Sequence, residues 1–202
     1  MPLPRRFYRR PARAVARDLL GCILVVRRRG TVTAGRIVEV EAYLGPEDAA
    51  SHAASRPGSR SLFYGDGGFA YVYLNYGIHS CLNAIANRPG KPGCVLIRAV
   101  EPFLGCRVMA RRRGVPADAR RLASGPGNLT RALGITGRDN GADLTRGPLT
   151  IEPPDAPRDF AIGAGPRVGI TRAAHLPLRF WIVENLYVSG RPPAPDAPQR
   201  SR

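Results

Sequence analysis

The sequence predicts an α+β (mixed α/β) fold: a single domain with a curved, mainly antiparallel sheet flanked by helices. Three observations predict it. The chain has 202 residues, 44% of them hydrophobic, enough for one globular domain with a real core. Short strand-like segments recur along the chain, with helical spacing only in brief stretches between them. No segment repeats internally.

Residues 1–10 read as an extended basic arm. Over 11–20, Ala14, Val15, Leu19 and Leu20 recur at helical spacing, and Gly21 is a helix stop. Cys22 to Val26 is a short apolar strand, followed by a turn at Arg27-Arg28-Arg29-Gly30. Residues 35–44 alternate, with Ile37, Glu39, Glu41 and Tyr43 on one face and Val38, Val40, Ala42 and Leu44 on the other. Gly45 to Gly68 is polar and rich in Gly and Pro, a long loop of the kind that is often functional. The aromatic and β-branched run from Phe69 to Asn87 predicts a hairpin. A strand follows at 94–100 and ends at Glu101-Pro102. Helices are expected at 103–113 and 118–123, a turn into a helix at 124–135, and strands at 148–152, 167–170 and 178–184. From Gly190 the chain is Pro-rich and is expected to be disordered. The divisions are therefore a basic arm over 1–10, one domain over 11–189 and a tail over 190–202.

The formal net charge of +16 points to a polyanionic partner, either nucleic acid or an anionic membrane surface. Nearly all of it is arginine, since Lys91 is the only lysine, so part of the excess can be compositional bias. No run of eighteen apolar residues predicts a membrane span, and the basic N-terminus lacks an apolar stretch behind it. Cys22, Cys81, Cys94 and Cys106 form no CxxC pair, and in an unsecreted chain they read as reduced, mostly buried thiols. His52, His79 and His175 are scattered, so no metal site is expected.

Glu39 and Glu41 share one face of a strand otherwise made of Ile and Val. Burying carboxylates is expensive, so the pair reads either as a pocket wall carrying a general base or as the solvated face of an edge strand. Arg98 interrupts the strand Cys-Val-Leu-Ile and is the natural partner of Glu41, as a water-holding cation or as a plain structural ion pair. Phe69, Tyr71, Tyr73 and Tyr76 fall within eight residues in basic surroundings. Such aromatics suit stacking on unpaired bases, and equally serve as half-buried strand filler.

With these residues in view, the chain resembles the alkyladenine (3-methyladenine) DNA glycosylase family. The resemblance lies in RIVEVEAYLGPEDAASHA, YVYLNYGIHSCLN, CVLIRAVEP, SGPGNL, and RVGITRA followed by PLRFWI, in order from about Phe7 to Val188. It implies a glycosylase domain that flips alkylated or deaminated purines out of double-stranded DNA and hydrolyses the N-glycosidic bond, with no cofactor. By resemblance Glu41 is the general base and Arg98 positions the water, with the Val188 carbonyl as a third contact. Tyr43 stacks on one face of the flipped base, and His52 and Tyr73 lie on the other. Asn83 crowds the amino group of normal guanine, and Tyr76 is the wedge that fills the hole in the duplex. His79, His175 and Glu39 keep structural or surface roles. Loop 53–68 cannot be matched residue by residue, and Gly-Ile-His after Tyr76 departs from the pattern, so the lesion range stays open.

Lysine scarcity favours a monofunctional enzyme, because a lyase forms a Schiff base through an amine. The exception is Pro2, which becomes a secondary amine if Met1 is removed. A monomer in the cytoplasm, on the nucleoid when bound to DNA and with no membrane partner, is expected. The main rival is a non-catalytic basic nucleic-acid-binding domain. A formyltransferase-like small-molecule enzyme ranks below it, for want of an Asn-His-Asp cluster.

Overall fold

The computed structural model describes residues 1–55, 57–75 and 77–190. Among them, eight strands form one curled sheet in which every pairing is antiparallel. They are β1 (Ile23–Arg28), β2 (Thr31–Tyr43), β3 (Ala70–Asn75), β4 (His79–Ile85), β5 (Cys94–Leu104), β6 (Leu149–Glu152), β7 (Ile162–Gly165) and β8 (Arg179–Ile182). The order is β3-β4-β5-β2-β1-β6, with β8 pairing both β2 and β7. Around them lie the helices α1 (Arg5–Tyr8), α2 (Ala12–Leu19), α3 (His52–Ser55), α4 (Arg60–Tyr64), α5 (Cys106–Arg113) and α6 (Pro126–Leu133). The α+β, mainly antiparallel architecture expected from the sequence is the one observed. No described helix is long and apolar enough to cross a membrane.

β2 is the central strand. Along one side it pairs with β5; along the other it pairs first with β1 and then, at Glu39–Glu41, with β8. A strand covered this way reads as nearly continuous burial, and β2 is buried from Ile37 to Ala42. Arg29 and Gly30 make the two-residue β1–β2 turn, both at positive φ, as a hairpin turn of the primed type demands. α2 buries Ala12, Val15, Ala16 and Leu19 and stops at Gly21, whose φ is +84°.

Several elements differ from expectation. Residues 5–8 of the supposed extended arm form α1, because Leu3 and the ring of Tyr8 are buried in the main core. The stretch 45–68 is not one open loop but carries α3, a 3-10 turn at Pro57–Ser59, and α4, which buries Phe63. β5 continues through Glu101-Pro102 to Leu104. The β2–β5 register slips between Ala34 and Gly35, opposite Pro102, where the missing N–H is tolerated. α5 therefore starts only at Cys106. Residues 118–123 are not helical: Val100 N–H binds the Ala123 carbonyl and Ser124 bridges Ala99, drawing the segment against β5. Residues 167–170 form no strand, and β7 lies earlier, at Ile162–Gly165. A Cβ on Gly163 would lie 2.4 Å from the Trp181 ring, so only glycine lets β7 cross that indole. Of the tail expected over 190–202, only Gly190 is among the described residues.

Candidate active site

The site is built on two bulges. Across β2 and β5, Tyr43 faces Cys94, Glu41 faces Leu96 and Glu39 faces Ala99, which leaves Val38 and Arg98 without partners in the register. A bulge re-aims the side chain it carries. Here Arg98 turns toward both glutamates, with Nε 2.8 Å from Glu39 Oε1 and Nη1 3.1 Å from Glu41 Oε1. The bulge at Val38 also breaks the alternation read from the sequence. Ile37, placed there on the glutamate face, packs in the main core with Val38, Val40 and Ala42.

Both glutamates are fully buried, so they do not sit on the solvated face of an edge strand. Glu41 Oε1 accepts the Val168 N–H at 2.7 Å as well as the Arg98 contact, and Glu41 Oε2 accepts the Tyr43 hydroxyl at 2.9 Å. A carboxylate offers about four acceptor positions, so room remains for one more donor, such as a water. Glu39 Oε1 accepts from Arg98 and from Arg179 Nε, each at 2.8 Å, and Glu39 Oε2 accepts the Ser189 N–H at 2.7 Å. Burial alone would push the Arg98 guanidinium down, but Glu41 and Glu39 outweigh it and hold the cation above its ordinary range. Burial, then Glu41, raises the Tyr43 phenol, which therefore keeps its proton and donates.

A second buried pair holds the rim. Arg167 binds Asp48 through both Nη atoms, at 2.6 and 2.8 Å, and donates to the Ala42 carbonyl. Its guanidinium lies 4.6 Å from the Tyr43 ring centroid and covers one face of it. Burial would raise the Asp48 carboxyl, but Arg167 and the Leu44 and Ala50 N–H groups together hold it below the usual carboxylate range.

The aromatic wall is contributed by β3, α3 and α4. Tyr71 and Tyr73 stack at 5.3 Å between centroids, and His52 packs edge-on against Tyr73 at 4.5 Å. His52 Nδ1 lies 3.1 Å from the Tyr71 hydroxyl. Phe63, Tyr71, Ile85 and Cys94 form one buried cluster, on which Tyr43 and Tyr73 pack. Asn83, on β4 opposite Tyr71, is buried and donates its amide to the Tyr71 carbonyl, while Cys94 Sγ approaches its Oδ1 at 3.7 Å. Burial pushes the Cys94 thiol up to about 12. All four cysteines are free.

Glu41, Arg98, Tyr43, His52, Tyr73 and Asn83 thus come from β2, β5, α3, β3 and β4. Val188 is buried at the edge of the main core and precedes Ser189, which touches Glu39, Arg98 and Arg179. Tyr76 lies outside the described residues. His79, His175 and Lys91 are exposed. Sequence reasoning missed Arg179, although a lone arginine in LPLRFWI is the same signal that singled out Arg98. It also missed the Asp48–Arg167 pair, separated by 119 residues, and the Val168 N–H, a main-chain group with no residue-type signature.

The site is thus a buried carboxylate held by one cation and two hydrogen-bond donors, beside an aromatic wall, on a single α+β domain. The methylpurine-DNA glycosylase family matches residues 6–186, and the chain belongs to that family. It is 48% identical over 194 residues to a protein of Methanoculleus marisnigri, covering 95% of this chain and all of that one. A protein of Koribacter versatilis is 44% identical over 200 residues, with 94% of each chain covered. A protein of Myxococcus xanthus is 42% identical, with 95% of each covered. All three bear the name "Putative 3-methyladenine DNA glycosylase".

Proposed function

We propose that this protein is a monofunctional DNA glycosylase that flips alkylated or deaminated purines out of duplex DNA and hydrolyses their bond to the sugar, which starts base excision repair. The single observation that carries the reading is the buried Glu41 carboxylate, gripped by Arg98, Val168 N–H and Tyr43 beside the aromatic wall. The family and the names of the relatives support the same class.

In this reading Glu41 takes a proton from a water whose oxygen bonds to C1′. The C1′–N bond breaks and its electron pair leaves with the base. A purine alkylated at N3 or N7 is cationic and departs neutral, so no acid is required. A cationic base also stacks well on electron-rich rings, an attraction worth about 0.5–2 kcal/mol. Tyr43 offers the face not covered by Arg167, and Tyr73 with His52 forms the opposite wall. Asn83 crowds the guanine amino group, Tyr76 serves as the wedge, and the Val188 carbonyl is the third water contact. Flipping costs a few kcal/mol, and least for damaged or mispaired bases, so selectivity begins before chemistry. The turn into α6 would hold a flanking phosphate; Gly127 there abuts His79 beside the β3–β4 tip. The protein acts as a cytoplasmic monomer on DNA.

The test is base release from defined duplexes containing 3-methyladenine, 7-methylguanine, hypoxanthine or ethenoadenine, with Glu41→Gln beside the wild type. Loss of a general base removes about 10²–10⁴ in rate. Glu41→Gln is expected to lose that much and keep DNA binding. Equal release by the variant rejects the mechanism, and binding without release by the wild type favours a non-catalytic nucleic-acid-binding domain.

A further inference from the structure

Glu39 is as fully engaged as Glu41, with three donors on its carboxylate, yet the reaction outlined above does not use it. Its two oxygens hold three donors from three parts of the chain: Arg98 on β5, Arg179 on β8 and the Ser189 N–H. The same two arginines grip Ser189 again. Arg179 Nη2 donates to its carbonyl at 2.7 Å and Arg98 Nη2 to its hydroxyl at 3.3 Å. All four residues are buried. The Ser189 N–H, hydroxyl and carbonyl are thus all bound to one charged cluster, and the peptide that joins it to Val188 is held with them.

We propose that Glu39, Arg179 and Ser189 are positioning residues for the reaction: they lock Arg98 and the 188–189 backbone around the attacking water, and their charges set the electrostatic balance felt by Glu41. The proposal rests on the reading of Glu41 as the base. Glu39 occupies Arg98 Nε and leaves Nη1 for Glu41, so the guanidinium is shared in a fixed orientation. The cluster is also balanced, with Glu39 and Glu41 against Arg98 and Arg179. An unbalanced charge in such a buried cluster acts strongly on its neighbours.

Among the described residues, charged and titratable groups face Glu41 from several elements. Arg98 approaches from β5, Tyr43 from β2 itself, and Arg167 and the Val168 N–H from the segment before β8. Cys81 approaches from β4, and Arg179 and Glu39 lie behind Arg98. Removing the Glu39 charge leaves the cluster positive, so activity should persist to lower pH. Removing the Arg179 charge leaves it negative and should move the acid limb to higher pH. Glu39→Asp keeps the charge but shortens the reach, so it should lower the rate without moving the limb.

The experiment is single-turnover release of 3-methyladenine from methylated duplex DNA across pH, using full-length wild type, Glu41→Gln, Glu39→Gln, Glu39→Asp and Arg179→Gln, with folding checked by circular dichroism. The expected result is a fall of about 10- to 100-fold in maximal rate for the Glu39 variants. The acid limb is expected to move in opposite directions for Glu39→Gln and Arg179→Gln. Folded Glu39→Gln and Arg179→Gln variants whose acid limbs stay where the wild type's lies overturn the proposal, as does failure of both of these variants to fold. If only one of the charge-removing variants folds, the direction of its shift decides against the Glu39→Asp reference. A wild type that releases no base, or a Glu41→Gln that releases it normally, rejects the base assignment instead, so the two failures are distinguishable.

Discussion

Tyr43 serves the site with both ends of its side chain. The hydroxyl donates to Glu41 and the ring is backed by Arg167. Hydrogen bonds to charged groups are worth about 1.5–3 kcal/mol, and 1.36 kcal/mol is a factor of ten. Tyr43→Phe should therefore release base about 10- to 100-fold more slowly while binding lesion DNA nearly as tightly; single-turnover rates and a binding titration check this. Asp48 governs stability instead. Breaking a fully buried pair costs about 3–5 kcal/mol, so Asp48→Asn should lower the denaturation free energy by that order. The sign of the pH effect follows from a folded-state carboxyl held below its ordinary range. Its contribution is complete above about pH 4, the ordinary Asp value, and disappears as pH falls through the lower folded-state value. Denaturant titrations between pH 7 and pH 2 should show the wild type losing an increment that Asp48→Asn never had.

At the scale of elements, the antiparallel sheet was legible because its strands alternate or run apolar between clear breaks. Glu39, Glu41 and Arg98 stood out for the same reason, as charges inside apolar strands. The bulges were not legible, since they depend on how two strands 59 residues apart in sequence meet. That is why Ile37 was read onto the wrong face and Arg98 could be paired with Glu41 but not shown to share Glu39. β7 escaped because Ile-Gly-Ala-Gly has little strand propensity and is a strand through its pairing with β8, where Gly163 lies against the Trp181 ring. Gly163→Ala should therefore cost about 1–3 kcal/mol by overpacking. Gly137→Ala, whose Cβ meets nothing within 4 Å, should stay within about 0.5 kcal/mol, and paired thermal melts distinguish them.

For the whole molecule, the charge of +16 is the property most visible in the sequence and least informative about chemistry. It makes a strong prediction about binding. A protein that neutralises six to ten phosphates loses about 10³–10⁵ in affinity between 50 and 200 mM salt, and this chain should fall in that range by fluorescence anisotropy on undamaged duplex. Borohydride should trap no covalent DNA adduct through Lys91, which is exposed in the β4–β5 connection, and an adduct that survives Lys91→Arg would point to the Pro2 amine.

The grip of Glu39 on Ser189 has a consequence for how the protein is made. β2 and its carboxylates are synthesised early, but the amide that satisfies Glu39 Oε2 arrives 150 residues later. Until then Arg98 and Arg179 have no Ser189 to hold. On the reading proposed above, a nascent chain therefore gains its working centre only when β8 and the turn after it have emerged.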